Sequence, residues 1–145
     1  MTSRRDQRLY AWENAVVGPC DQSLVPFAQM QAIVDFVWTE EGLRWPPRVR
    51  PLRGARTTMA SGSRLAIHAP ESLPTWVLLH EIAHAMTCTV EGQGAGHGPD
   101  FVGVYLRLLV RHCRLDQQVL EQTLRATGIV WNPEATAPFL DRWPS

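Results

Sequence analysis

Residues 77–86 read VLLHEIAHAM, an apolar run interrupted by His80, Glu81 and His84. A run that is apolar nearly all round belongs to a helix in the middle of a fold, not on its surface. Just ahead stand Ser72, Leu73 and Pro74, a capping hydroxyl followed by an early proline. They form a helix start signal, and the helix is expected to run to about Thr89. On it His80 and His84 lie four residues apart, so both imidazoles leave from one face, one turn apart. Two nitrogens so placed reach a single ion at about 2.0–2.1 Å. Glu81 sits one residue round the helix, beside a metal-bound water rather than on the metal. This is the His-Glu-x-x-His pattern, in which zinc acidifies water and the glutamate takes its proton. Chance produces it in roughly 1% of shuffled chains of this composition, so the spacing itself favours a site. An unpaired carboxylate on a central apolar helix would cost several kcal/mol, which an ion with its water relieves. Two buried, hydrogen-bonded histidines are the plainer alternative.

Zinc with an open catalytic position wants three protein ligands. The extended form of the motif is absent, because Thr87 and Val90 stand where its glycine and third histidine would fall. The remaining candidates are His97, Asp100, Glu91 and Glu121. Glu91 follows the helix too soon to fold back easily, while Glu121 sits at a spacing seen when a later helix supplies a glutamate. His97 is best placed, beyond a loop containing Gly92, Gly94 and Gly96 that can reverse direction. A neutral imidazole also suits zinc better than a surface carboxylate.

Around this centre the pattern alternates between helix and irregular structure. Residues 5–17 are ambiguous between a short helix and a strand. Residues 26–41 put Phe27, Met30, Val34, Val37 and Trp38 on one stripe, opened by Pro26 and closed by Gly42, which predicts an amphipathic helix. Pro46, Pro47 and Pro51 exclude a long helix next. Segments 49–56, 57–61 and 64–68 read as short strands, with a turn at Ser61, Gly62 and Ser63. Arg44, Arg48, Arg50, Arg53, Arg56 and Arg64 crowd this stretch, read as the solvated face of strands rather than a nucleic-acid surface. Pro99 restarts a helix, Asp116 caps another, and Gly128 ends it. Residues 129–145 are expected to pack as an extended strap.

The chain has 145 residues, which fits one domain, 1–145. Its 14 basic residues, all Arg, balance 14 acids, so no global field draws it to nucleic acid or membrane. Cys20, Cys88 and Cys113 include no Cys-x-x-Cys pair, which argues against a disulfide framework and for a reducing compartment. Without an apolar leader or a run of about 18 apolar residues, the expected location is cytoplasmic.

The pair HEIAH and HGPDF, His80 to His84 and His97 to Phe101, resembles the SprT-like zinc metallopeptidase family. The chain is also similar to small bacterial and phage proteins described as metallohydrolases, most specifically over residues 63–110. The resemblance implies that His80, His84 and His97 bind one zinc ion and that Glu81 is the catalytic base. It also implies that Gly98 permits a tight helix entry and that Phe101 anchors it. Asp100 stands where the family commonly has glutamate, and is read as an acceptor behind the ligands or a helix-start carboxylate. The Cys-rich ribbon often found in that family is missing, so its DNA-linked roles do not carry over.

The expected fold is α+β and zincin-like: a small, mostly antiparallel sheet packed against the HExxH helix, with N-terminal and C-terminal helices. The expected activity is zinc-dependent hydrolysis of a peptide bond in a peptide or protein substrate. Tyr105, His68 or a nearby Arg would stabilise the oxyanion, and the 65–68 strand would pair with substrate. Cys88 is read as a buried apolar thiol. The alternative is a zinc-bearing regulatory or binding module, against which Glu81 argues, since a closed structural site has no use for a base.

Overall fold

A computed structural model describes residues 3–52, 60–88 and 96–138. Among these residues it is an α+β fold of five α-helices and two small sheets. The helices are α1 (Arg4–Trp12), α2 (Phe27–Glu40), α3 (Thr75–Met86), α4 (Pro99–His112) and α5 (Gln117–Thr127). The strands are β1 (Val25–Pro26), β2 (Arg48–Pro51), β3 (Ser61–Gly62), β4 (Ala66–Ala69) and β5 (Ser72–Leu73). No helix among the described residues is long and apolar enough to cross a membrane.

Helix α3 is the centre, as its composition demands. Leu78, Leu79, Ile82, Ala83 and Ala85 are fully buried, and the helix packs on α4, β3 and β4. Each of the buried leucines and the isoleucine contributes about 1.5–3 kcal/mol, the alanines less. The start signal is displaced: Pro74 is the N-cap, while Ser72 and Leu73 form β5 and pair with β1. The helix ends earlier than expected, at Met86, where the Thr87 hydroxyl turns back onto the Ala83 carbonyl at 2.9 Å. Thr89 and the rest of 89–95, with Glu91, Gly92 and Gly94, lie outside the described residues.

The ambiguous segment 5–17 is helical. α1 is capped by Ser3, whose hydroxyl accepts from the Asp6 amide at 3.1 Å. It then widens into a π-helical turn (Glu13–Val17) and tightens into a 3-10 turn (Gly18–Cys20). Leu9, Trp12 and Val17 bury themselves, and the Trp12 indole donates to the Thr123 hydroxyl at 2.9 Å, tying α1 to α5. Helix α2 follows the predicted stripe, with Met30, Val34, Val37 and Trp38 buried.

The three-stranded sheet has the order β2-β4-β3. β3 and β4 join antiparallel through a tight connection, and β2, on the far side of β4, runs parallel to it. The longest pairing is therefore parallel, and the sheet is mixed instead of mostly antiparallel. The residues expected to turn, Ser61 and Gly62, form β3, and the reversal falls at Arg64 and Leu65. Gly62 is forced: a Cβ there would stand 2.3 Å from the Glu81 carbonyl oxygen, because β3 lies directly on α3. Positions 53–59 of the predicted strands, including Arg53 and Arg56, lie outside the described residues.

Arg48 and Arg50 are exposed as expected. Arg64 is not: it is buried, its guanidinium donating to the Trp45 carbonyl at 3.0 Å and lying over the Trp38 ring. Asp116 caps α5 through the Gln118 and Val119 amides, and Gly128 closes it at φ 78°. Residues 129–138 run without regular structure across α4, with the Asn132 amide bonded to the Pro99 carbonyl at 2.9 Å. The remainder of the strap, 139–145, lies outside the described residues.

Candidate metal centre

Helix geometry delivers His80 and His84 to one side of α3, and the turn before α4 delivers His97 opposite them. The His97 Nε2 stands 3.0 Å from the His84 Nε2 and 3.3 Å from the His80 Nε2. One ligand atom from each of the three lies within 4.8 Å of the others. Two nitrogens bound at about 2.0–2.1 Å to a tetrahedral zinc stand ~3.3 Å apart. The three histidines are thus spaced to hold a metal ion.

The outer nitrogens point the same way. The His80 Nδ1 donates to the Glu13 Oε2 at 2.5 Å, and the His97 Nδ1 donates to the Asp6 Oδ1 at 2.6 Å. A carboxylate only accepts, so both rings carry their proton on Nδ1 when neutral. Their Nε2 lone pairs then face each other at 3.3 Å, an arrangement that repels unless a metal ion or a proton lies between them. The donor set therefore fits a metal ion, and the carboxylates behind it raise ligand basicity and fix ring orientation. His84 is held differently, stacked on the Phe101 ring at 4.4 Å between centroids.

The charges follow from burial. Burial pulls the His80 pKa down, but the hydrogen bond and charge of Glu13, with Glu81, outweigh it and leave the pKa raised. Burial, with the neighbouring His80 and His97, pushes His84 down to about 3, so this ring stays neutral and available as a ligand. Burial lifts Glu81 to about 7, with the His80 charge opposing and Glu13 reinforcing. A cation at the histidines would oppose that rise.

Asp6 and Glu13 are absent from the sequence reading. Seven residues apart on a helical segment, they share a stripe, and each reaches a ring 91 or 67 residues away. Glu13 is nearly fully buried and also accepts from the Tyr105 hydroxyl at 2.7 Å. The signal was an acid breaking an apolar stripe, since Leu9, Glu13 and Val17 recur every four residues. The π-helical turn begins at Glu13, and such turns recur at functional sites.

The centre opens into a cleft of about 490 Å³. Glu81 lines it beside the histidines, with Tyr10 and Asn14 on one flank and Leu73, Trp76 and Val77 on another. Ala60, Ser61 and Gly62 line it too, so the strand bordering the cleft is β3, which among the described residues is at the sheet edge. β4, which carries residues 66–68 of the expected substrate strand, lies between β2 and β3 and so is not an edge strand.

Other candidates fall elsewhere. Neither Tyr105 nor His68 lines the cleft: Tyr105 is fully buried behind Glu13, and His68 pairs within the sheet. No Arg among the described residues lines it either. Asp100 does not back His97; it sits in the first turn of α4 and accepts from the Asn132 side chain at 3.0 Å. Glu121 is outside the cluster, bonded to Gln117 at 3.0 Å and facing Arg125. Gly98 is the N-cap of α4 with φ −76°, open to any residue, whereas Phe101 is buried as expected. Cys88 is buried.

Comparison with protein-family models, with curated proteins and with solved structures returns no match. The chemistry of the cleft therefore rests on its own residues.

Tyr10 is the best-placed phenol. Its ring edge meets His97 at 5.4 Å between centroids, and it lines the cleft. Burial and the charges of Asp6, Glu13 and Glu81 raise its pKa, so it remains a hydrogen-bond donor at neutral pH.

Proposed function

We propose that the protein is a zinc-dependent peptidase of zincin type, with His80, His84 and His97 as the ligands and Glu81 as the general base. The observation that carries this reading is the convergence of three imidazoles and one buried carboxylate on a single cleft. Zinc held there would supply Lewis acidity towards the attacking water and the scissile carbonyl.

The chain's own residues account for the rest. Glu81 takes a proton from the attacking water and returns it to the leaving amine. Tyr10 and Asn14 offer donors from the cleft wall to the oxyanion that develops. The edge of β3 lets an extended peptide pair with the backbone, while Leu73, Trp76 and Val77 receive an apolar side chain. A zincin-like arrangement, with the sheet edge beside the HExxH helix, is the finer fold reading that accompanies this proposal.

The test is Glu81→Gln in the zinc-loaded protein, assayed on a mixture of peptides. Zinc is expected to remain near one per chain while turnover falls by about 10²–10⁴-fold. Turnover equal to that of the parent would remove Glu81 from the chemistry. A parent that binds zinc and cleaves nothing would instead favour a zinc-bearing binding module.

A further inference from the structure

On the far side of His97 lies a second cleft, of about 310 Å³. Arg5 and Arg8 line it from α1, and Gly128, Ile129 and Val130 line it from beyond α5. The two arginines are three residues apart and so share a helix face. The Arg8 guanidinium lies 4.0 Å from the place a Gly128 Cβ would occupy. Among the described residues no carboxylate lines the cleft and neither arginine forms an ion pair. The acid nearest in sequence, Asp6, is engaged with His97.

This placement runs against helix energetics. Arg4, Arg5 and Arg8 crowd the N-terminal half of α1, where the helix dipole disfavours cations. Two unpaired guanidinium groups at a concave site repel each other, and an anion between them removes that repulsion. Guanidinium forks match planar carboxylate and tetrahedral phosphate oxygens in paired hydrogen bonds. The opposite wall is apolar: Ile129 packs on the core, and Val130 is 69% exposed. A volume near the low end for small-ligand sites suits a short group.

We propose that this cleft is an oxyanion-binding site, holding a carboxylate or phosphate between Arg5 and Arg8 with an apolar portion against Ile129 and Val130. The anion comes either from the C-terminal carboxylate of a bound peptide or from a free phosphate. The site stands whether or not the metal cleft is hydrolytic, since its evidence is its own lining.

Amide NMR spectra of the full-length protein test it, with inorganic phosphate in one titration and a short peptide in another. The peptide is used in two forms, with a free C-terminal carboxylate and as its carboxamide. Shifts are expected at the Gly128, Ile129 and Val130 amides, which do not line the metal cleft. In the Arg5→Gln, Arg8→Gln double variant the dissociation constant is expected to rise about tenfold or more. Both arginines are exposed, so its melting temperature should match the parent's. Response to phosphate alone identifies a free anion as the ligand; response to the free carboxylate but not the carboxamide identifies a peptide terminus. Silence at those three amides with both probes, or equal binding by the double variant, overturns the proposal.

Discussion

Helix α3 brings His80, Glu81 and His84 to the cleft through spacing written within five residues. The α1 segment brings Asp6 and Glu13 to the same histidine cluster from 91 and 67 residues before the rings they touch. The difference lies in what each group must do. Groups that share one ion must converge within a few ångströms, and one helical turn supplies that convergence locally. Groups that only orient an imidazole need a single hydrogen bond, and any element packed behind the ring can provide it. Local spacing therefore advertises the first kind, and only the folded chain reveals the second.

Zinc affinity measured by chelator competition sharpens this contrast. His80→Ala or His84→Ala removes one of the three proposed ligands, and affinity is expected to fall by on the order of a thousandfold or more. His97→Ala should do the same, and retention of full affinity by that variant would break the three-histidine assignment. Glu13→Gln is expected to cost about 10–100-fold, because it unlocks His80 without removing it. Asp6→Asn should fall at the lower end of that range, since the Asp6 side chain is 31% exposed and water can replace its bond. A Glu13 effect as large as that of a ligand would erase the distinction between the two helices. Tyr105→Phe is expected to be mildest, about 1 kcal/mol of folding stability by denaturant titration, with little change in zinc affinity.

The parts of the fold that could be read in advance are those with strong local chemistry. The apolar stripe of α2, the Asp116 cap, the proline at the start of α4 and the left-handed Gly128 each act within a turn of where they stand. The His80, Glu81, His84 and His97 cluster was equally accessible, because one helix and one turn suffice to assemble it. The sheet was harder. Its strands span two to four residues, too short for an alternating pattern, and β2 pairs with β4 in parallel, a pairing between strands that are not consecutive in the chain. Tyr105 illustrates the remaining difficulty. A tyrosine on an apolar helix near a histidine site suggests a donor to substrate, yet its hydroxyl is spent on Glu13. Only packing distinguishes the two.

The π-helical turn at Glu13 has a bearing on the order of assembly. During synthesis the residues that brace the imidazoles emerge first, and the imidazoles themselves much later. Holding them apart meanwhile costs little, since each doubling of a flexible loop adds only about 0.6 kcal/mol to its closure. The braced form of the centre is complete only once the N-terminal segment has docked against α3 and the turn before α4, and tight capture of a metal ion would then report that docking.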